Sequence, residues 1–89
     1  MVYIFNLELN FIYNTDMRLG KYELALKGIE NAIIAKENHA VAYYYGSICY
    51  RKLGNTEKAD KYINNVKLIL SNSKYWNYYF DKLNIPRPN

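Results

Sequence analysis

Two side chains in this sequence have the makings of nucleophilic chemistry: Cys49, its one thiol, and His39, its one histidine. A catalytic cysteine needs a base within hydrogen-bond reach to become a thiolate. On one continuous helix a ten-residue separation is a rise of about 15 Å, and the rotation leaves the two side chains off-face. A Cys–His pair within one chain is therefore not expected; Cys49 reads as a small buried residue and His39 as a surface residue at a helix start. A metal centre needs His, Cys or carboxylate ligands clustered at ligand spacing, and no such cluster is present in the sequence. The four glycines, Gly20, Gly28, Gly46 and Gly54, stand isolated, so no phosphate-cradling loop is formed. Glu23 and Glu57 fall at equivalent places in a repeat, which suits a structural or surface role better than an acid–base pair. The expectation is a protein with no catalytic residues, no metal and no cofactor.

The bulk properties bound the size, core and surface of the protein. At 89 residues there is room for one domain, taken as residues 1–85 with a Pro-containing tail at 86–89. The chain is 51% apolar and 17% aromatic, with eleven tyrosines, so a packed core is within reach. The formal charge is +4 and the pI is near 9.1. Its lysines are spread rather than blocked, the pattern of solvated helix faces and not of a nucleic-acid patch. A single cysteine cannot form an internal disulfide, which points to a reducing, cytoplasmic setting. The start, Met1 to Glu8, lacks the basic lead of a secretory signal, and no run approaches the ~18 apolar residues of a membrane span.

What positions the side chains is a repeat. Leu19-Gly20-Lys21-Tyr22-Glu23-Leu24-Ala25 returns 34 residues later as Leu53-Gly54-Asn55-Thr56-Glu57-Lys58-Ala59. The register continues, with Lys27 on Lys61, Ile29 on Ile63, Asn31 on Asn65 and Asn38 on Asn72. A fixed period of this length is one supersecondary unit used twice. Apolar residues at three- and four-residue steps predict helices over about 3–18, 21–36, 39–52, 55–71 and 74–84. Gly20 and Gly54 end two of them, Asn38, Asn55 and Ser73 can cap three, and Pro86 and Pro88 close the pattern ahead of an extended tail. Gly28 is a weak point inside the second. The fold class is all-α, about five helices in antiparallel hairpins.

With hairpins of this period the chain resembles the tetratricopeptide-repeat family. Tyr43 and Tyr50 take the aromatic places on the first helix of the second unit, Gly46 and Ser47 the small central pair, and Ala59 and Ile63 the second-helix pair. The first unit matches through Ala25, Ile29 and Ala32, but Tyr13 stands where a small residue belongs and Asp16 where an aromatic belongs. Glu37 and Ser71 occupy the places of the closing prolines. The resemblance implies repeat 1 at about 5–38, repeat 2 at about 39–72 and a capping helix at about 73–84, stacked as a short right-handed superhelix, an α-solenoid. It also implies that small residues at 46, 47 and 59 let helix axes approach near ~8 Å while the flanking tyrosines fill the space around them.

In that family the first helices line a concave groove. Carried over by register, the resemblance places Asn10, Asn14, Met17, Tyr44, Ile48, Arg51, Tyr78 and Lys82 there, a tyrosine-lined trough edged by Arg51, Lys52 and Lys82. Such a trough suits an apolar or aromatic peptide, or a helix, with some acidic character, and Tyr and Arg are enriched at hot spots. The competing role for Tyr44, Tyr45 and Tyr78 is plain packing between helices. The expected function is a non-catalytic scaffold, adaptor or chaperone-like module for another protein. The alternative is a self-assembling or obligate-complex subunit, a homodimer or the terminal piece of a longer repeat protein, because stacked repeats generally need three or more units. Nucleic-acid binding through Lys and Tyr ranks below both.

Overall fold

The computed structural model describes residues 17–35 and 40–88. Four helices form there: α1 (Tyr22–Ala35), α2 (Ala40–Lys52), α3 (Thr56–Asn72) and α4 (Lys74–Lys82). No strand occurs among the described residues, whose fold is all-helical. Met17 and Arg18 are helical and lead into the Leu19–Gly20 turn. The predicted helix over 3–18 otherwise lies outside the described residues, as do Asn38, His39, Glu37, Tyr13 and Asp16. Among the described residues no helix is long and apolar enough to cross a membrane.

Local chemistry sets the helix limits. Gly54 sits at φ +85°, and α2 ends in paired bonds from Gly54 N to Arg51 O (3.1 Å) and from Asn55 N to Tyr50 O (2.8 Å). That is the left-handed end that satisfies the last carbonyls of a helix without a Cβ penalty. Asn55 then caps α3, its side chain accepting from Lys58 N at 3.2 Å. Ser73 is both the last cap of α3 and the first cap of α4, accepting from Trp76 N at 3.2 Å. One residue thus suffices to turn the chain from α3 into α4.

The core gathers around α2. α1 buries Ala25, Leu26, Ile29 and Ala32, one stripe at helical spacing. α3 buries Ala59 and Val66, with Tyr62, Ile63, Ile69 and Leu70 half-buried on the same side. α2 has almost no outward face before its last turn: Ala40, Val41, Ala42, Tyr45, Gly46, Ser47, Cys49 and Tyr50 are all buried. It packs on α1 on one side and α3 on the other. The three helices converge at Gly46, where a Cβ would lie 2.6 Å from Tyr62 Cδ2 and 3.2 Å from Ile29 Cγ2. Tyr62 occupies the space a side chain at position 46 would take. Its ring is held edge-on by Tyr43 (centroids 5.3 Å apart) and Tyr50 (5.2 Å). The small residue and its two flanking tyrosines therefore act together.

α4 closes the open end of this packing. It buries Trp76, Tyr79 and Phe80, and Phe80 meets Tyr44 of α2 edge-to-face at 5.8 Å. Its C-terminus repeats the left-handed ending with Asn84 (φ 57°) in place of glycine: Asn84 N donates to Asp81 O, and Ile85 N to Phe80 O at 2.9 Å. Pro86 ends the helical pattern as expected, but the tail does not project. Ile85 is buried, and Arg87 folds back to donate to Asn77 Oδ1 (2.9 Å), Asn77 O (2.6 Å) and Asp81 Oδ1 (2.6 Å). The Asn77 amide in turn donates to Leu70 O and Ser73 O, tying tail, α4 and the end of α3 to one side chain.

Candidate functional site: a tyrosine-walled cavity between α2 and α3

Of the eight groove residues expected from register, Asn10 and Asn14 lie outside the described residues. Met17 is half-buried and packs against the core. Tyr44, Ile48 and Arg51 recur at four- and three-residue steps on α2, so they share one face. They line a single surface cavity of about 410 Å³ together with Ser47, Lys52 and Ile63. Tyr78 and Lys82 do not line it. They pair with each other on the exposed side of α4, Lys82 Nζ lying 5.7 Å from the Tyr78 ring centroid. Phe80, the residue of α4 that touches Tyr44, is two positions from each of them, about 200° around the helix.

Each wall of the cavity has a physical reason for its place. The Tyr44 ring is pinned between Tyr45 (5.4 Å) and Phe80, and burial pushes its phenol above the usual value, so it stays a protonated donor. Ser47 sends its hydroxyl back to Tyr44 O at 2.6 Å; the side chain is internally satisfied and adds a small, neutral floor. Ile48 of α2 and Ile63 of α3 are half-buried apolar walls. Arg51 Nη2 donates to Asp60 Oδ1 of α3 at 2.9 Å, bridging the two helices at the lip. Register on first helices alone could not supply Ile63, which belongs to a second helix and enters only because α3 packs beside α2.

Three further titratable groups, Cys49, Tyr50 and Tyr62, belong to the packing between helices. Burial pushes the Cys49 thiol up to about 11, the environment of an inert, packed cysteine and not of a nucleophile. Burial also raises the Tyr50 phenol, reinforced by its hydrogen bond to the Glu30 carboxylate of α1. Tyr62 is raised for the same first reason and by the nearby Glu30 charge. Lys58 Nζ stands 5.3 Å from the centroid of the same Tyr50 ring. No group of three or more potential metal ligands occurs among the described residues.

No family profile matches this sequence, and neither curated proteins nor solved structures give a match.

Proposed function

We propose that the chain is a non-catalytic protein-interaction module of tetratricopeptide type, a scaffold, adaptor or chaperone-like unit that holds a peptide or helix of a partner against α2. On this reading the two 34-residue units and a capping helix, about five helices in all, stack as a short right-handed superhelix. Asn10, Asn14 and Met17 extend the groove that Tyr44, Ile48 and Arg51 line. The observation that carries the reading is the cavity itself: apolar walls from α2 and α3, a phenol and a cationic lip. Interaction sites favour that composition, aromatic and Arg-rich at the centre. The close seat of Tyr62 on Gly46 supports the repeat, since the small central residue of the pattern has the use the pattern implies. A single buried thiol suits a reducing compartment such as the cytoplasm.

The test is a capture experiment with Tyr44→Ala combined with Arg51→Ala. A partner retained by the wild-type chain and released by the folded double variant supports the groove; retention unchanged by both substitutions overturns it.

Self-assembly is favoured by a different observation. Leu68, Tyr78 and Tyr75 are 63%, 57% and 43% exposed on the last two helices, an apolar surface that a second copy would cover. Light scattering separates the readings, because a stable monomer at micromolar concentration disposes of an obligate oligomer.

A further inference from the structure

In the sequence Arg51, Lys52 and Lys82 stand on an equal footing as cations edging the groove. The structure distinguishes them. Arg51 is committed to Asp60 across the α2–α3 lip. Lys82 lies against Tyr78, away from the cavity. Lys52 lines the cavity and forms no ion pair among the described residues. The walls beside it are Ile48, Ile63 and the Tyr44 ring, and a volume of about 410 Å³ is room enough for a bulky apolar side chain.

We infer that the cavity takes one bulky apolar side chain of a partner polypeptide with a carboxylate beside it in sequence, and that Lys52 reads that carboxylate. The inference rests on the groove reading above and adds the partner's chemistry. Charge complementarity fixes the sign: the lining residues include two cations and no acid, and the acid nearest by contact, Asp60, is held by Arg51. A carboxylate approaching Arg51 has to compete with Asp60, whereas one approaching Lys52 does not. Arg51 is then a positioning residue that keeps α3, and with it Ile63, against the lip. Lys52 is the specificity determinant.

The experiment uses fluorescein-labelled twelve-residue peptides in which a central Leu or Phe is flanked by Glu, by Gln or by Lys. Each is titrated with the full chain by anisotropy at about 50 mM and about 300 mM salt. For exposed charges the Glu-flanked peptides should bind roughly three- to tenfold tighter than the Lys-flanked ones at low salt, the gap narrowing at high salt. Lys52→Glu should invert the order, Lys52→Arg should keep it, and Arg51→Ala should weaken all the peptides while leaving their order unchanged. Lys52 is exposed, and a thermal melt checks that the variants fold. Binding without charge preference, or a preference that survives Lys52→Glu, overturns the role of Lys52 and leaves the groove standing. If no peptide binds while Tyr44→Ala with Arg51→Ala still releases a captured partner, the short apolar–acidic motif is wrong and the groove survives. If no peptide binds and capture is unaffected, both fall.

Discussion

Replacing Gly46 by alanine sets two effects of opposite sign against each other. In an ordinary helix interior the change is stabilising by about 1 kcal/mol, because alanine loses less backbone freedom on folding. Here the new Cβ would lie 2.6 Å and 2.7 Å from Tyr62 Cδ2 and Cε2, and 3.2 Å from Ile29 Cγ2. Carbon–carbon contacts are comfortable at about 3.5–4.0 Å, so the Tyr62 ring has to withdraw by about 1 Å. That movement disturbs its edge-on contacts with Tyr43 and Tyr50, at interplanar angles of 85° and 89°. Overpacking of this kind costs about 1–3 kcal/mol. Against the helix gain, the expected outcome is a net loss of roughly 1 kcal/mol, or about 4–8 °C in Tm for a domain of this size. The assay is urea and thermal unfolding followed by circular dichroism and by Trp76 fluorescence. The decisive companion is Gly46→Ala in a Tyr62→Val background. With the ring removed, the same alanine should stabilise, giving a coupling between the two sites of about 1–3 kcal/mol. A rise in the unfolding midpoint on Gly46→Ala alone would refute the close approach, and with it the meaning given to the small central residue of the repeat.

Three further outcomes are expected. Asn84 holds a left-handed backbone at the end of α4, so Asn84→Gly should be neutral to mildly stabilising and Asn84→Ala should cost about 1 kcal/mol, read from chemical denaturation. The hydrogen bond from Arg87 holds the Asp81 carboxyl below its usual pKa, so any stability it adds is complete above the unfolded-state value near 3.9 and is lost as pH falls through the lower folded value. The Tm difference between wild type and Asp81→Asn should accordingly be present at pH 5–7 and vanish near pH 2; a difference independent of pH would show that the ion pair adds nothing. Cys49, buried with its thiol pushed up to about 11, should resist a soluble disulfide reagent at pH 8 in the folded chain and react at a rate that tracks global unfolding in urea. Rapid labelling without denaturant would place it outside the core.

Much of the fold is legible in the sequence because its signals are local. Asn55 and Ser73 announce helix starts by offering a side-chain acceptor to a backbone N–H three residues on, and Gly54 announces an end through its permitted positive φ. Periodic apolar residues on α1 and α3 mark the faces that turn inward. The site is less legible. Tyr44, Ile48 and Arg51 come together as helical spacing requires, but Tyr78 and Lys82, equivalent to Tyr44 and Ile48 by register, lie on a different surface. Register fixes where a residue sits along a unit; it does not fix how a short terminal helix is rotated, and α4 is rotated by the burial of Trp76, Tyr79 and Phe80. The tail was equally hidden, since Pro86 and Pro88 indicate only that a helix stops, and nothing local says that Arg87 will return to Asn77.

By itself, then, the sequence determined the four described helices, roughly where they end, and which of their faces turn inward. Each of these depends on residues within a few positions of one another. The tertiary structure alone decided that Tyr62 fills the place of a side chain at Gly46, that Ile63 becomes a wall of the cavity, and that Arg51 is tied to Asp60 while Lys52 forms no ion pair among the described residues. Those outcomes join residues on different helices, and only close packing, in which two groups cannot share one volume, chooses among the neighbours each could have had.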